Sequence, residues 1–227
     1  MRLHTFSFLD QYHHGSIFSD YLALRYRALV RKLGWDLSHD GSVEMDQYDH
    51  PGAVFSVVTY QGKVIGGARA LPCSASWGGW SYMLKDASLG KLGRIPNDLL
   101  SEYPNAGHTW EGTRLVMDET VESAQVRLMA IRLVVFGLCK LASKGGAETI
   151  ISLSPSPFGR LLGVMGYTAV PIGREYIGEE DSLSYRAFSM PCNPLINADV
   201  CAGLEVISAR SEQLFIPGGE VTYLQRV

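Results

Sequence analysis

Arg25 and Trp35 stand ten positions apart near the start of the chain, and Glu44, Asp46 and Asp49 follow within the next fourteen. Far downstream, Glu111, Thr113 and Arg114 answer this front cluster. Charges and aromatics at that density are seldom wanted for packing. They suit a small zwitterion that carries both a carboxylate and a cation. A competing use is open for Asp49, Arg69 and Arg114, which could form ion pairs that shape the front loop without meeting a ligand. Glu111 stands mid-strand in an apolar run, where it is either a reacting group or a buried acid paired with Arg114.

These residues must be brought together by the elements between them. The pattern predicts a first helix over residues 16–33, ending in the basic pair Arg31-Lys32 with Gly34 in the C′ position. Residues 36–52 are polar, and Ser38-His39-Asp40-Gly41-Ser42 reads as a mobile loop. Residues 55–60 and 64–71 are β-rich runs joined by Gln61-Gly62-Lys63, a hairpin that Pro72 stops. Residues 73–103 form a long excursion holding Gly78-Gly79, the aromatics Trp77, Trp80 and Tyr82, and a short helical piece expected after Pro96. Residues 110–116 make the strand that carries Glu111, Thr113 and Arg114. The longest helix is expected from about 122 to 144, with Leu128, Ile131, Val135, Leu138 and Ala142 on its apolar face and Gly145-Gly146 ending it. An apolar strand over 149–154 follows, then a helix capped by Ser156-Pro157 and closed by Gly166.

This order implies an α/β fold: three αβα layers around a mixed central sheet, antiparallel in the early hairpin and parallel in its later half. A single domain over residues 1–227 is expected, with a less regular extension from about 191. Within that extension only residues 203–208 are patterned, and Pro217-Gly218-Gly219 breaks the tail.

The formal charge is −3, from 20 Lys and Arg against 23 Asp and Glu, which argues against nucleic acid as a partner. Residues 1–5 lack the apolar core of a signal peptide, and the apolar stretch 133–141 is too short for a bilayer, so a cytoplasmic protein is expected without a membrane partner. Cys73, Cys139, Cys192 and Cys201 form no CxxC pair, and the six histidines show no metal-ligand spacing. No metal is expected.

Four stretches in order carry a resemblance: Arg25 with Leu33-Gly34-Trp35; Glu44-x-Asp46-x-x-Asp49; Gly66-Gly67-Ala68-Arg69-x-Leu71-Pro72; and Trp110-Glu111-Gly112-Thr113-Arg114. Together they resemble the N-acyl-homoserine lactone synthases, the LuxI-type autoinducer synthases of bacterial quorum sensing, over most of the first 170 residues. The resemblance implies a fold like the GCN5-type N-acetyltransferases. It implies S-adenosylmethionine (SAM) and an acyl thioester as substrates, no cofactor besides them, and an acyl-homoserine lactone and methylthioadenosine as products. Arg25 would hold the SAM carboxylate, Trp35 would face the cation and Asp46 would accept from the amine, with Asp49, Arg69, Thr113 and Arg114 completing that site. Glu111, with Asp46, is the expected catalytic group, acting as general base directly or through water. The backbone of the strand carrying Glu111 is the expected source of donors to the thioester oxygen. Lactone closure needs only a folded substrate chain and no added nucleophile. Leu29 replaces an aromatic usual in the family, Thr113 a serine and Cys73 a threonine.

The acyl chain is expected between the long helix and the later strands, against Ile131, Val135, Ile151, Leu153, Ser154, Phe158 and Leu162, most of which would be apolar as core in any case. Ser154 falls where the family often has a threonine associated with 3-oxo chains. The junction Met117-Asp118-Glu119-Thr120-Val121-Glu122 is acidic and free of glycine, unlike the pyrophosphate cradle of coenzyme A-dependent acetyltransferases. That favours an acyl carrier protein as donor, with acyl-CoA possible, and Lys140, Lys144 and Arg160 could dock an acidic carrier or merely be solvated. Two other readings are open. One is an acyl-CoA-dependent N-acyltransferase of the same fold; the other is a non-catalytic sensor of SAM or of an acyl carrier.

Overall fold

Gln61 and Gly62, at φ 52° and 78°, turn the chain between β2 (Val54–Tyr60) and β3 (Lys63–Pro72) in the computed structural model, which describes residues 1–202 and 205–208. Both strands are buried along nearly their whole length, because helices cover the sheet on both faces. The other strands are β1 (Arg2–Ser7), β4 (Thr109–Met117), β5 (Thr149–Pro155), β6 (Val170–Pro171), β7 (Tyr176–Ile177), β8 (Ser184–Pro191) and β9 (Glu205–Ser208). Among the described residues they form one sheet in the order β6-β8-β5-β4-β3-β2-β1-β9, with β7 on β8. The helices are α1 (Ile17–Arg25), α2 (Met83–Ser88), α3 (Ala124–Lys144), α4 (Phe158–Val164) and α5 (Ala198–Cys201).

Strand alternation sorts the core into faces. Leu3, Val54, Val58, Ala68, Ala70, Trp110 and Ile150 pack with α3. Phe6, Phe55 and Val57 pack with Phe18, Tyr21, Leu22 and Leu24 of α1, and Leu71 and Ile151 pack with Met83 and Leu84 of α2. Helices on two sides of a mixed sheet give the expected three layers.

Several local expectations differ. The first helix is α-helical only to Arg25 and widens into π-helical turns over Tyr26–Lys32, a form that often marks functional sites. Gly34 ends it at φ 73°. Residues 96–103 hold turns, not a helix, because Leu100 N–H goes to the Tyr103 hydroxyl rather than to a carbonyl one turn back. The excursion's helix is α2, before Pro96. Ser156 does not cap α4; its hydroxyl meets Glu175 and Ser184, and Pro157 takes the cap position. Beyond β4–β5 the later half pairs antiparallel, β5 with β8, and the second parallel pair lies at the far edge between β1 and β9. The buried face of α3 is wider than expected: Val135, Leu138 and Ala142 of the expected face are buried. Ala130, Leu133 and Val134 are buried with them, Leu128 and Ile131 are half-buried at the margin, and Gly137 leaves no room for a Cβ against Ser56. The patterned residues 203–208 include β9, and Pro217-Gly218-Gly219 lies outside the described residues.

One irregularity shapes the site. β4 pairs with β5 only at Thr109↔Thr149, Trp110↔Ile150 and Glu111↔Ile151. Beyond that point β4 bulges against β3, where the register shifts between Gly67 and Arg69 and Arg114 takes φ 55°. The bulge carries β4 away from β5, and the sheet opens. Tyr21 holds the bulge by donating its hydroxyl to the Arg114 carbonyl at 2.7 Å, its ring lying over Gly67. A Cβ on Gly67 would meet that ring at 2.7 Å. Gly67→Ala is therefore expected to cost about 1–3 kcal/mol in urea denaturation, whereas Gly93→Ala, with no atom within 4 Å, should stay within about 0.5 kcal/mol.

Candidate active site

Three guanidiniums and three carboxylates interlock where α1, the loop before β2, and strands β3 and β4 converge. Arg25 Nε donates to Glu44 Oε2 at 2.5 Å, and its two terminal nitrogens donate to Asp49 at 2.8 and 2.9 Å. Arg69 grips Asp46 at 2.5 and 3.2 Å and donates Nε to Thr113 Oγ1 at 3.1 Å. Arg114 Nη2 lies 2.8 Å from Asp46 Oδ2 and 3.3 Å from Glu44 Oε1. Arg25 and Arg69 are fully buried. Such burial is tolerable only because each charge is partnered.

Asp46 is the hub. Burial opposes its ionisation, yet Arg69, Arg114 and Arg25 hold its carboxyl far below the usual carboxylate range. Asp49 is lowered in the same way: burial works against it, and Arg69 and Arg25 overcome that.

Glu111 has a different environment. It is fully buried, and its two oxygens accept the N–H groups of Met83 and Leu84 at 2.8 and 2.9 Å, the first amides of α2. Burial pushes its pKa up to about 7, against the pull of those two amides. Glu111 thus fastens α2 to β4.

A cavity of about 590 Å³ runs through the opening between β4 and β5. On the α1 and α2 side its lining includes Trp35, Asp46, Met83, Thr113 and Arg114; on the α3 side it includes Val135, Leu138, Ile150, Phe158 and Leu162. Leu153, Ser152 and Ser154 also face it, the two serine hydroxyls 3.2 Å apart. It therefore has a charged end and an apolar end, separated by the plane of the sheet.

The expected site residues divide accordingly. Trp35, Asp46, Thr113 and Arg114 reach the cavity, as do Val135, Leu153, Ser154, Phe158 and Leu162. Arg25, Asp49 and Arg69 stand behind Asp46 and do not line it, their donors and acceptors spent on one another. The Arg25 donors are directed at Glu44 and Asp49, and both Glu111 oxygens accept from the first amides of α2, so the lining includes neither side chain. Ile131 is outside the lining, half-buried against the α3 core, and Ile151 packs with α2 on the other face of the sheet from Ile150. Leu29, in place of an aromatic, does line it.

The mouth carries residues that motif spacing missed. Arg94 bridges Glu180 and Asp36, at 2.7 Å to the latter, and the Asp36 N–H meets Glu180 at 2.8 Å. Three separate loops are thereby pinned over the charged end. Trp35 Nε1 donates to Asp181 at 2.9 Å. An acidic run at 179–181 between two tyrosines was the available signal, but it belongs to no helix or strand period.

At the β4–α3 junction Asp118 accepts from Thr120 and lies 3.5 Å from Arg27, while Glu119 is exposed beside Lys32 at 2.7 Å. Lys144 and Arg160 are exposed and Lys140 is half-buried. Among the described residues no group of three His, Cys, Asp or Glu could hold a metal, and no helix is long and apolar enough to cross a membrane.

A sequence model described as autoinducer synthase matches residues 9–193. The chain is 25% identical over 201 residues to an acyl-homoserine-lactone synthase of Vibrio anguillarum, covering 88% of this chain and 96% of that one. Among solved structures it is similar to TofI in a ternary complex with an inhibitor and methylthioadenosine, at TM-score 0.64 and 23% identity over 82% of this chain and 89% of the other. It is also similar to BjaI, a CoA-dependent acyl-homoserine lactone synthase with SAM and isopentyl-CoA, at TM-score 0.70 and 14% identity over 91% and 92% of the two chains.

Proposed function

This chain belongs to the autoinducer synthase family of enzymes, and we propose that it transfers an acyl group from a carrier-protein thioester to the α-amine of SAM and then closes the lactone. The observation that carries this reading is a continuous cavity with a charged end and an apolar end on opposite faces of the sheet. A zwitterionic head fits the end at Asp46 and Arg114; an acyl tail fits the end at Val135, Phe158 and Leu162. The amine and the thioester then meet in the opening between β4 and β5.

Arg114 lies on the cavity wall and takes the SAM carboxylate, while Asp46 accepts from the amine. An α-amine titrates near about 8, so a useful fraction is neutral at mildly alkaline pH without a strong base. The neutral amine attacks the thioester carbon; the amide bond forms, the C–S bond breaks, and the nitrogen's proton goes to the departing thiolate. Backbone N–H groups of β4 that turn toward the opening are the donors for the oxyanion. The SAM carboxylate next attacks its own γ-carbon, forming the lactone C–O bond and expelling neutral methylthioadenosine. Glu111 acts through α2, keeping Met83 against the cavity.

Asp118 and Glu119 at the β4–α3 junction make that turn a poor pyrophosphate cradle and favour a carrier protein over CoA. Lys144 and Arg160 are the exposed cations for its acidic surface. BjaI, of the same fold, is CoA-dependent, so the test must offer both donors. Purified chain is given SAM with acyl-carrier or acyl-CoA thioesters of graded length, and products are read by mass spectrometry. A homoserine lactone amide formed at least about tenfold faster from the carrier thioester is expected, the difference coming from docking charges. No lactone from either donor set would remove this reading. Faster turnover from CoA would remove the carrier assignment alone. Phe158→Ala should move the product distribution toward longer chains, because a benzyl group leaves room for several methylenes at the apolar end.

A further inference from the structure

Three aromatic rings meet at the charged end of the cavity. Trp35 and Tyr185 lie 6.2 Å apart by ring centroids, and Tyr185 and Tyr176 lie 5.7 Å apart. Asp181 ties Trp35 to Tyr185: its Oδ2 accepts from Trp35 Nε1 at 2.9 Å and from the Tyr185 hydroxyl at 2.5 Å, while Oδ1 accepts from Leu183 N–H at 2.9 Å. All four residues line the cavity. The rings come from three segments: the end of the first helix, β7 and β8.

A carboxylate bonded to the edges of two rings fixes them, and Tyr176, stacked on Tyr185, extends the aromatic wall. Burial opposes the ionisation of Asp181, but the Tyr185 hydroxyl, the Leu183 amide and the Trp35 indole hold its pKa below the ordinary range, so it is charged at neutral pH. Much of its hydrogen-bonding capacity is already taken by these donors. Such a wall offers π faces and a nearby negative charge in preference to open acceptors. An onium centre without N–H groups needs no open acceptor, only field and surface.

We propose that Trp35, Tyr176, Tyr185 and Asp181 form a cage for the sulfonium of SAM, which makes the site select charged sulfur over the neutral thioether. The inference rests on the function proposed above and adds a means of release. Lactone closure turns the sulfonium into a neutral thioether, and the attraction that held the substrate is lost.

Calorimetric titration of the full chain with SAM and with S-adenosylhomocysteine, its neutral thioether counterpart, tests the cage without turnover. Asp181→Asn and Tyr176→Leu are each expected to weaken SAM about tenfold, the size of a desolvated cation–π contact. Both should change S-adenosylhomocysteine affinity less than about twofold, and Asp181→Glu should recover much of the loss. Should Asp181→Asn fail to fold, Tyr176→Leu carries the test, because Tyr176 is half-buried on a two-residue edge strand. Equal losses for the two ligands, or none for either, would overturn the cage. Lactone formation by the wild-type chain together with unchanged selectivity in the variants would sink the cage and leave the reaction standing. Selective losses in a chain that makes no lactone would do the reverse.

Discussion

Asp46→Ala is expected to lower kcat/KM by at least about a thousandfold, combining the loss of an amine acceptor with displacement of Arg114. The same change should destabilise the fold by about 3–5 kcal/mol, the usual cost of removing one member of a buried ion pair. The reason is geometric: Asp46 faces Arg69 at 2.5 Å, Arg114 at 2.8 Å and Arg25 at 4.0 Å, so its removal leaves buried guanidiniums short of an anion. Asp46→Asn keeps the shape without the charge and should fall between. Its folded-state pKa is depressed, so its contribution is complete above the unfolded value near about 4 and is lost only as pH falls from there toward the folded one. Denaturation of wild type and Asp46→Asn should therefore differ most above pH ~5 and converge in strong acid. A constant gap down to low pH would mean the carboxylate is not what the guanidiniums need.

Glu111→Ala should be comparably destabilising, because it strips the Met83 and Leu84 N–H groups of their acceptors inside the core, at about 1–3 kcal/mol each. The pH dependence runs opposite to that of Asp46. Its folded-state pKa is raised from 4.5 to about 7, so its contribution is present below the unfolded value and is lost as pH rises through about 7. At about 1.4 kcal/mol per unit, wild type should surrender roughly 3 kcal/mol over that interval relative to Glu111→Gln, whose amide does not titrate. Kinetics separate fastening from base catalysis. A group that works by holding α2 should, as Gln, raise the KM for SAM about tenfold and leave the pH-rate profile in place. A general base should lose about 10²- to 10⁴-fold in kcat and erase the acid limb. The oxygens' engagement with α2 makes the first result the expected one.

The layers and the hairpin were legible because alternation and turn residues are local properties. Gln61-Gly62 needs no tertiary context to turn. The opening of the sheet was not legible, since it depends on a bulge at Arg114 braced by Tyr21 from a different element. Charge and type located the residues of the site but not their order in depth. Arg25 and Arg114 are the same side chain to a sequence reader; only packing makes one the backing of Asp46 and the other part of the wall. Glu111 stood out as an acid in an apolar strand, and its partners proved to be two backbone amides from the irregular excursion rather than Arg114. Asp181 and its tyrosines were passed over because edge strands as short as β7 carry no readable period.

The central claim is that one cavity threads the sheet, with the charged head of the substrate on one face and the acyl tail on the other. A crystal structure of the chain with an N-acyl-homoserine lactone and methylthioadenosine tests it directly. The lactone ring should lie beside Asp46 and Arg114, and the tail should pass between Gly112 and Ser152 to reach Phe158. A tail lying on the α1 and α2 side, with the opening between β4 and β5 bare, would contradict it.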